Sequence, residues 1–231
     1  MNAKLMRPVA AEFVATALFV FVGAGAVVMN AVSGNTLGTP AVALVHGIAL
    51  AILVSMTMGI SGGHLNPAVT VSLLAAGKVD RRTAGAYIGA QLAGAVLGAL
   101  LVKLVFPLQA GIVTNLGTPA MSAHIDSFVK GAAIEALFTF FLVSAVFGTV
   151  VAQDAPKIGG FGVGLVVFVA GVVAGPLTGA ALNPARAFGP ALVAWEVHGQ
   201  AAYWIGPLVG GLGAAILWKQ ILLPRTTKGV T

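Results

Sequence analysis

A short, irregular segment that ends in Asn-Pro-Ala occurs twice in this chain, each time between strongly apolar stretches. The first copy, residues 61–69, reads Ser-Gly-Gly-His-Leu-Asn-Pro-Ala-Val, and the second, residues 178–186, reads Thr-Gly-Ala-Ala-Leu-Asn-Pro-Ala-Arg. Asn favours the N-cap of a helix and Pro its first position, so each copy is typical of a loop that leads into a helix. The backbone of such a loop cannot face lipid and must be buried in protein or line a watery cavity. The repeat therefore indicates a pore.

The composition is that of a membrane protein. Of the 231 residues, 58% are hydrophobic and 8% are charged, whereas a soluble domain carries roughly 25% charged residues. No polar stretch is long enough for a soluble domain, so we predict one transmembrane domain over residues 1–231. The chain has no Cys, which excludes disulfides and thiolate metal sites. Its net charge of +6 lies in turns and tails between apolar spans, which indicates membrane topology and not nucleic-acid binding.

The lengths of the apolar segments predict the architecture. Crossing about 30 Å of hydrocarbon takes about 20 helical residues, and we predict six such spans at 9–29, 41–60, 83–106, 128–151, 159–175 and 201–223. The apolar runs after the two Asn residues, 68–76 and 184–194, measure only about 15 Å and reach half way across the hydrocarbon. Each enters and leaves on one side, and three full spans separate them, so the second half is inverted relative to the first. The predicted fold is an all-α polytopic membrane protein of six transmembrane helices plus two re-entrant half-helices, with inverted repeats at about 8–106 and 128–223.

Internal similarity and charge support this arrangement. Glu12 and Thr16 in the first span are echoed by Glu135 and Thr139 in the fourth, and interrupted segments in inverted repeats predict a site at the midplane. The positive-inside tendency places both termini in the cytoplasm, and the compact loops favour a bacterial plasma membrane. The basic residues assigned to the inside are Lys4, Arg7, Lys78, Arg81, Arg82, Lys157, Lys219, Arg225 and Lys228, and those outside are Lys103, Lys130 and Arg186.

The two Asn-Pro-Ala turns carry the predicted chemistry. One copy alone is most simply a capped helix start, but two copies in inverted halves predict half-helices that meet at the midplane. Each helix N-terminus carries about half a positive charge, so the pair repels cations and protons. Asn66 and Asn183 each offer an amide donor to a passing oxygen. The irregular loops offer backbone carbonyl acceptors from Gly62, Gly63, His64, Leu65, Gly179 and Ala181.

The paired Asn-Pro-Ala turns, Ser-Gly-Gly-His before the first and Arg186 after the second resemble the aquaporin (major intrinsic protein) family over nearly the whole chain. The resemblance implies a right-handed helical bundle, a pore within each subunit and a homotetramer. It also implies a narrow selectivity filter, whose members by spacing are Arg186, His46, Gly171 and Ala180. A charge at membrane depth is by default functional. His46 lies about 8 Å below the outer end of its span, in agreement with this placement.

The predicted filter departs from the strict water-selective pattern of the family, which has Phe and His at the positions of His46 and Gly171. Gly171 and Ala180 are small, so we expect a wider constriction in which Arg186 and His46 both donate hydrogen bonds. Ala187 and Tyr203-Trp204 resemble the water-channel type. The sequence therefore favours a passive channel for water, together with ammonia, urea, hydrogen peroxide or glycerol. A glycerol or small-solute facilitator, with water secondary, is the alternative.

The buried acids leave a further alternative open. Glu12 and Glu135 could relay protons in a proton-coupled transporter, or brace the irregular loops by accepting their N–H groups, with help from Gln91. Their symmetric placement and the resemblance favour the brace. His124 and His198 are expected to be ordinary surface residues, and a junction protein that conducts little would need adhesive outer loops, which the connection 107–127 does not offer. No nucleophile–base pair, metal cluster or phosphate loop occurs, so no enzyme activity, cofactor or metal is expected.

Overall fold

The computed structural model describes residues 3–224, and within that range the protein is all-helical, without strands. Two basic residues used for the predicted topology, Arg225 and Lys228, lie outside the described residues, as do both chain termini. A 3₁₀ turn covers Asn115–Gly117, and π-helical turns at Phe147–Val151 and Trp218–Leu222 extend α6 and α10. The helices are α1 (Ala3–Val32), α2 (Gly38–Thr57), α3 (Pro67–Ala75), α4 (Arg81–Val105), α5 (Leu108–Val113), α6 (Phe128–Val146), α7 (Phe161–Val173), α8 (Gly175–Thr178), α9 (Pro184–Ala194) and α10 (Gln200–Leu217).

Five helices of the described chain are long and apolar enough to cross a membrane: Lys4–Val32, Gly38–Thr57, Arg81–Val105, Phe128–Val151 and Gln200–Leu222. The remaining predicted span, 159–175, is shorter than expected. Its helix α7 has 13 residues, or about 20 Å, and the one-turn helix α8 follows after Ala174. Pro176 explains the interruption, because proline has no N–H with which to continue the hydrogen bonds of α7.

The two half-length helices, α3 and α9, begin and end within one residue of their predicted bounds. Asn66 caps α3 by accepting the Ala68 N–H at 2.8 Å, and Asn183 caps α9 by accepting the N–H groups of Ala185 and Arg186 at 3.0 and 3.2 Å. Pro occupies the start of each helix, where its missing N–H is not needed. With 9 and 11 residues, the helices are about 14 and 17 Å long, roughly half a bilayer core.

Small residues let the long helices pack backbone to backbone. A Cβ on Gly94 of α4 would collide with the Phe13 carbonyl oxygen of α1, and one on Gly210 of α10 would collide with the Ala136 carbonyl oxygen of α6. In the same way α2 meets α7, where a Cβ on Gly47 would lie 2.7 Å from the Gly164 carbonyl oxygen. Close approach at small residues is the usual way in which helices associate in lipid. The α1/α4 and α6/α10 pairs occupy corresponding positions in the two halves of the chain.

Contacts between helix ends show which segments share a face of the bundle. Lys219 Nζ, after α10, donates to the Ala75 carbonyl oxygen at the end of α3 at 3.0 Å. Lys4 at the start of α1 lines a surface groove together with Asp80 and Arg82 at the start of α4. One end of the molecule therefore contains the beginning of α1, the α3–α4 turn and the end of α10. Four basic residues that the sequence assigned to the cytoplasmic side lie at this end: Lys4, Arg81, Arg82 and Lys219.

Candidate functional site

The tips of the two irregular loops are hydrogen-bonded to each other. Asn66 Nδ2 donates to the Leu182 carbonyl oxygen, and Asn183 Nδ2 donates to the Leu65 carbonyl oxygen, both at 2.9 Å. The two acceptors, Leu65 and Leu182, have left-handed backbone conformations with φ of 51° and 53°. Each Asn thus caps its own half-helix through its side-chain oxygen and holds the opposite loop through its nitrogen. The N-termini of α3 and α9 consequently meet inside the protein, and one N–H of each Asn amide is already used by the opposite loop.

Two buried carboxylates, Glu12 and Glu135, accept hydrogen bonds from the backbone N–H groups of the two loops. Glu12 of α1 accepts the backbone N–H groups of His64 and Leu65 at 2.9 and 2.7 Å, the Ser61 hydroxyl at 2.6 Å and Gln91 Nε2 at 2.8 Å. An irregular loop at membrane depth needs such partners, since an unpaired buried N–H is destabilising. Both oxygens of Glu12 are occupied by donors, and its exposed fraction is 0%.

The second loop is held in the same way by Glu135 of α6. This carboxylate accepts the backbone N–H groups of Ala181 and Leu182 at 3.0 and 2.7 Å and the Thr178 hydroxyl at 2.7 Å. Matching tyrosines complete the correspondence, because Tyr87 donates to the Ser61 carbonyl oxygen at 3.0 Å and Tyr203 to the Thr178 carbonyl oxygen at 2.8 Å. The two loops are therefore supported by equivalent contacts, apart from Gln91, which is specific to the first.

A cavity of about 240 Å³ brings together all four residues that the sequence assigned to the filter, His46, Gly171, Ala180 and Arg186. We call these four residues the constriction. They come from four different parts of the fold, namely α2, α7, the loop that leads into α9, and α9 itself. Asn30, Thr39 and Thr118 add polar groups to the wall of this large cavity.

Arg186, the third residue of α9, is the charged group of the constriction. Its side chain is buried, with 5% exposure. Nη1 donates to the Gly117 carbonyl oxygen at 3.0 Å, and Nη2 lies 3.2 Å from His46 Nε2. Among residues 3–224 no carboxylate lies within ion-pair distance of the guanidinium. Arg186 is thus held by neutral acceptors and retains its positive charge inside the protein, with N–H groups left for a ligand.

The contacts of His46 define its tautomer and correct one expectation. Nδ1 lies 2.9 Å from the Val42 carbonyl oxygen. A guanidinium only donates, so Nε2 must be the acceptor that faces Arg186, and the proton must therefore be on Nδ1. The one N–H of neutral His46 is thus used by the Val42 carbonyl. The sequence led us to expect donors from both His46 and Arg186, but within the constriction the side-chain donor is Arg186.

Gly171 has a packing role that the sequence did not indicate. A Cβ at this position would lie 2.6 Å from the Ala43 Cβ of α2. The missing side chain therefore permits the close approach of α2 and α7. The expectation that Gly171 simply widens the constriction is incomplete, since the neighbouring helix occupies space next to it.

A second, smaller cavity of about 20 Å³ includes both Asn residues of the loop tips, Asn66 and Asn183. One water needs about 10–15 Å³ of such volume, so this cavity has room for about one or two waters. Val167 lines both cavities, which makes them neighbours along α7. Apolar side chains, among them Phe19, Leu50 and Leu142, also line this cavity.

The residues predicted to offer carbonyl acceptors do not all reach these cavities. Gly63, His64 and Ala181 line the small cavity and Gly179 lines the large one, whereas Gly62 and Leu65 line neither. The Leu65 carbonyl accepts from Asn183. The His64 ring is held in place, with Nδ1 at 3.1 Å from the Thr70 hydroxyl and its edge on the Tyr87 ring.

Gly117 is the contributor that the sequence did not reveal. The connection 107–127 contains α5 and a turn whose Asn115, Leu116 and Gly117 all have positive φ, at 47°, 54° and 75°. Such strain in non-glycine residues is typical of functional segments, and here it accompanies the carbonyl that accepts from Arg186. His124 and His198 lie on exposed loops, as the sequence led us to expect, and the His198 ring contacts Glu196 at 3.0 Å. Within residues 3–224, no three His, Asp or Glu side chains gather as a metal site requires.

Comparison with known proteins agrees with this geometry. A profile described as "Major intrinsic protein" matches residues 1–218. The chain is 39% identical to "Aquaporin TIP4-4" of Zea mays over 97% of this chain and 90% of that protein, and 38% identical to "Aquaporin TIP2-1" of Arabidopsis thaliana over 94% and 88%. An X-ray structure of the aquaglyceroporin from Plasmodium falciparum superposes with a TM-score of 0.81 at 24% identity, covering 94% of this chain and 97% of that one, which shows a shared fold. The chain belongs to the major intrinsic protein family.

Proposed function

We propose that the protein is a passive channel that conducts water and small neutral solutes across a membrane and excludes protons and cations. The observation that carries the proposal is the reciprocal contact of Asn66 and Asn183 with the opposite loops, beside a cavity of about 20 Å³. The names of the relatives, aquaporins and an aquaglyceroporin, support the same class of permeant.

Charge selection follows from the two helix N-termini and Arg186. Each N-terminus presents about half a positive charge to the small cavity, and the buried guanidinium adds a full charge at the large one. A cation on this path loses its hydration and meets positive potential at two successive points. Neutral molecules meet no such barrier.

Hydrogen bonding along the path suits molecules that accept at one point and are released at the next. Arg186 and the free N–H of each Asn amide donate, and carbonyl groups of the loops accept. The apolar side chains that line the cavity together with the Asn residues limit the number of hydrogen-bond partners, so water is not held tightly. A solute larger than water must pass between Arg186 and the small residues Gly171 and Ala180. This arrangement favours water as the main permeant over the glycerol-facilitator alternative.

The buried acids act as braces in this proposal, with Gln91 assisting Glu12. Every oxygen of Glu12 and Glu135 accepts from a loop or a neighbouring side chain, so both carboxylates are already engaged in holding the loops. The same equivalence of contacts supports two inverted repeats, about 8–106 and 128–223, in one transmembrane domain. Neither catalysis nor a cofactor enters the proposal.

The assembly and the membrane are part of the proposal as well. A homotetramer in a lipid bilayer, with both termini cytoplasmic, stays a prediction. The bacterial plasma membrane suggested by the compact loops also stays a prediction, and the relatives named above come from plants.

Osmotic shrinkage of proteoliposomes, followed by light scattering after rapid mixing, tests conduction. Wild-type vesicles should shrink faster than empty ones. The Val167→Trp variant should lose the effect, because Val167 lines both cavities, and Val169→Trp is the matched control on the outward face of the same helix, where Val169 is 42% exposed. Wild-type shrinkage no faster than that of empty vesicles would refute water conduction.

A further inference from the structure

The His46 ring lies directly against a residue without a side chain. A Cβ on Gly23 of α1 would lie 2.6 Å from both Cδ2 and Nε2 of His46 and 3.3 Å from Cε1. Carbon atoms in ordinary contact are about 3.5–4.0 Å apart. Gly23 is buried, and the ring therefore occupies the space that a side chain at position 23 would need.

The ring is fixed in this place by two further contacts. Nδ1 is hydrogen-bonded to the Val42 carbonyl of its own helix, and Nε2 accepts from Arg186. A ring displaced from α1 could not keep both contacts, and the large cavity is the open space next to it. The size of residue 23 therefore determines how far His46 projects towards the permeation path.

The second group that holds Arg186 rests on the next residue of α1. A Cβ on Gly117, whose carbonyl accepts from Arg186, would lie 2.9 Å from the Ala24 Cβ. Both acceptors of the guanidinium, His46 Nε2 and the Gly117 carbonyl, are thus placed against consecutive small residues of one helix. Neither Gly23 nor Ala24 lines the cavity, so both act through the residues they support.

We propose that Gly23 is a positioning residue of the constriction: because it carries no side chain, the His46 ring lies back against α1, and this sets the width of the path beside Arg186. The inference rests on the proposed channel function. It assigns part of the solute selectivity to a residue of α1 that does not itself line the large cavity.

The test compares Gly23→Ala with Gly25→Ala in proteoliposomes. The control is closely matched, since a Cβ on Gly25 would lie 2.7 Å from the Phe106 ring, a similar conflict on the same helix with a side chain outside the large cavity. The solute is the largest among formamide, urea and glycerol that the wild type passes. The readout for each variant is the permeability to this solute divided by the permeability to water. If the wild type passes water alone, the readout is water permeability.

Gly23→Ala requires the ring to retreat by about 1 Å, and we expect the ratio to fall about tenfold, as for one misplaced methyl group in a tight pocket. Gly25→Ala should leave the ratio unchanged. In the His46→Ala background the added methyl group has no ring to displace, so Gly23→Ala should then have no further effect. An equal effect of the two glycine variants, or a loss that persists without His46, would overturn the proposal.

Insertion itself provides a second readout. If Gly23→Ala fails to fold while Gly23→Ala/His46→Ala folds, the conflict is with the ring, as proposed; failure of both would mean that Gly23 is needed for helix packing instead. A wild type that does not conduct refutes the channel function, whereas a conducting wild type with an unchanged Gly23→Ala ratio refutes only the role of Gly23.

Discussion

Arg186 is a buried cation without a carboxylate partner among the described residues, and its surroundings explain how the protein tolerates it. Two neutral acceptors, the Gly117 carbonyl and His46 Nε2, bind the guanidinium without cancelling its charge. A carboxylate in their place would neutralise the field that a cation meets in the constriction. The surroundings of Arg186 in the fold therefore satisfy two of its N–H groups without neutralising its charge.

Removal of this charge should weaken ion exclusion. We expect Arg186→Val to raise the proton or cation leak of proteoliposomes about tenfold, which corresponds to about 1.4 kcal/mol of lost barrier. Arg186→Lys is the control, because it keeps the charge but not the planar fork, and it should leak less than Arg186→Val. The measurement is the decay of an imposed pH gradient reported by an enclosed dye. An intact barrier in Arg186→Val would mean that the two helix N-termini are sufficient to exclude cations without Arg186.

His46 fills one side of the constriction without donating to a permeant. We expect His46→Ala to raise the fluxes of urea and glycerol, since it removes a ring from the path and frees Nη2 of Arg186 as a donor. Water flux should change less than solute flux, because water is smaller than these solutes and needs less room beside Arg186. Stopped-flow measurements of solute entry provide the comparison, and unchanged urea and glycerol fluxes would exclude His46 from the constriction.

At the scale of elements, the two half-helices depend on the loops that precede them, and those loops depend on Glu12 and Glu135. The carboxylates come from long helices, α1 and α6, so the loop tips are positioned by the rigid part of the fold. The brace explains why an irregular backbone persists at this depth, where each unpaired N–H would be destabilising.

Glu135→Gln tests the brace against the proton-coupled alternative. A Gln amide presents N–H groups to backbone donors, so either Leu182 or Ala181 with Thr178 loses its acceptor. We expect a loss of about 1–3 kcal/mol of stability, seen as a lower Tm of the purified protein. Glu196→Gln, in the loop between α9 and α10, is the control. A transporter would instead keep its Tm and lose pH-gradient-driven uptake.

The start of α4 contains a cap whose effect depends on pH. The Thr83 hydroxyl and the N–H groups of Thr83 and Arg82 donate to Asp80, which lowers the pKa of this exposed carboxyl. A lowered pKa in the folded state means that the ionised cap stabilises the protein at neutral pH and ceases to do so as the pH falls through that pKa. Asp80→Ala should therefore lower the Tm at pH 7, and the difference from the wild type should shrink in acid. A difference that does not change with pH would contradict the role of the carboxylate, and Asp80→Asn, a neutral cap, is the control.

Local chemistry determines which of these elements the sequence could predict. The signal for a helix start, Asn followed by Pro, lies within a few consecutive residues, so the bounds of α3 and α9 followed from Asn66 and Asn183. Span lengths followed from hydropathy with two exceptions: α1 has 30 residues, longer than the predicted span 9–29, and Pro176 interrupts the segment after α7. Contacts between distant segments have no local signal. The Asn183–Leu65 bond, the Gly117 carbonyl and the contact of Gly23 with His46 all depend on tertiary packing, and the sequence left them unassigned.

At the scale of the whole molecule, the two halves contribute unlike parts to one path. Both supply a capped half-helix and a braced loop, but Arg186 belongs to the second half and His46 to the first. The constriction therefore exists only when the halves are docked. The predicted homotetramer would repeat this path once per subunit, since every residue of the constriction comes from a single chain.

The central claim is that one path passes water and rejects protons. The most direct test measures both in the same proteoliposomes, with light scattering for osmotic shrinkage and an enclosed pH dye for proton entry. The account predicts wild-type shrinkage well above that of empty vesicles with proton entry no faster than theirs. Proton entry that rises together with water flux, or shrinkage at the rate of empty vesicles, would contradict it.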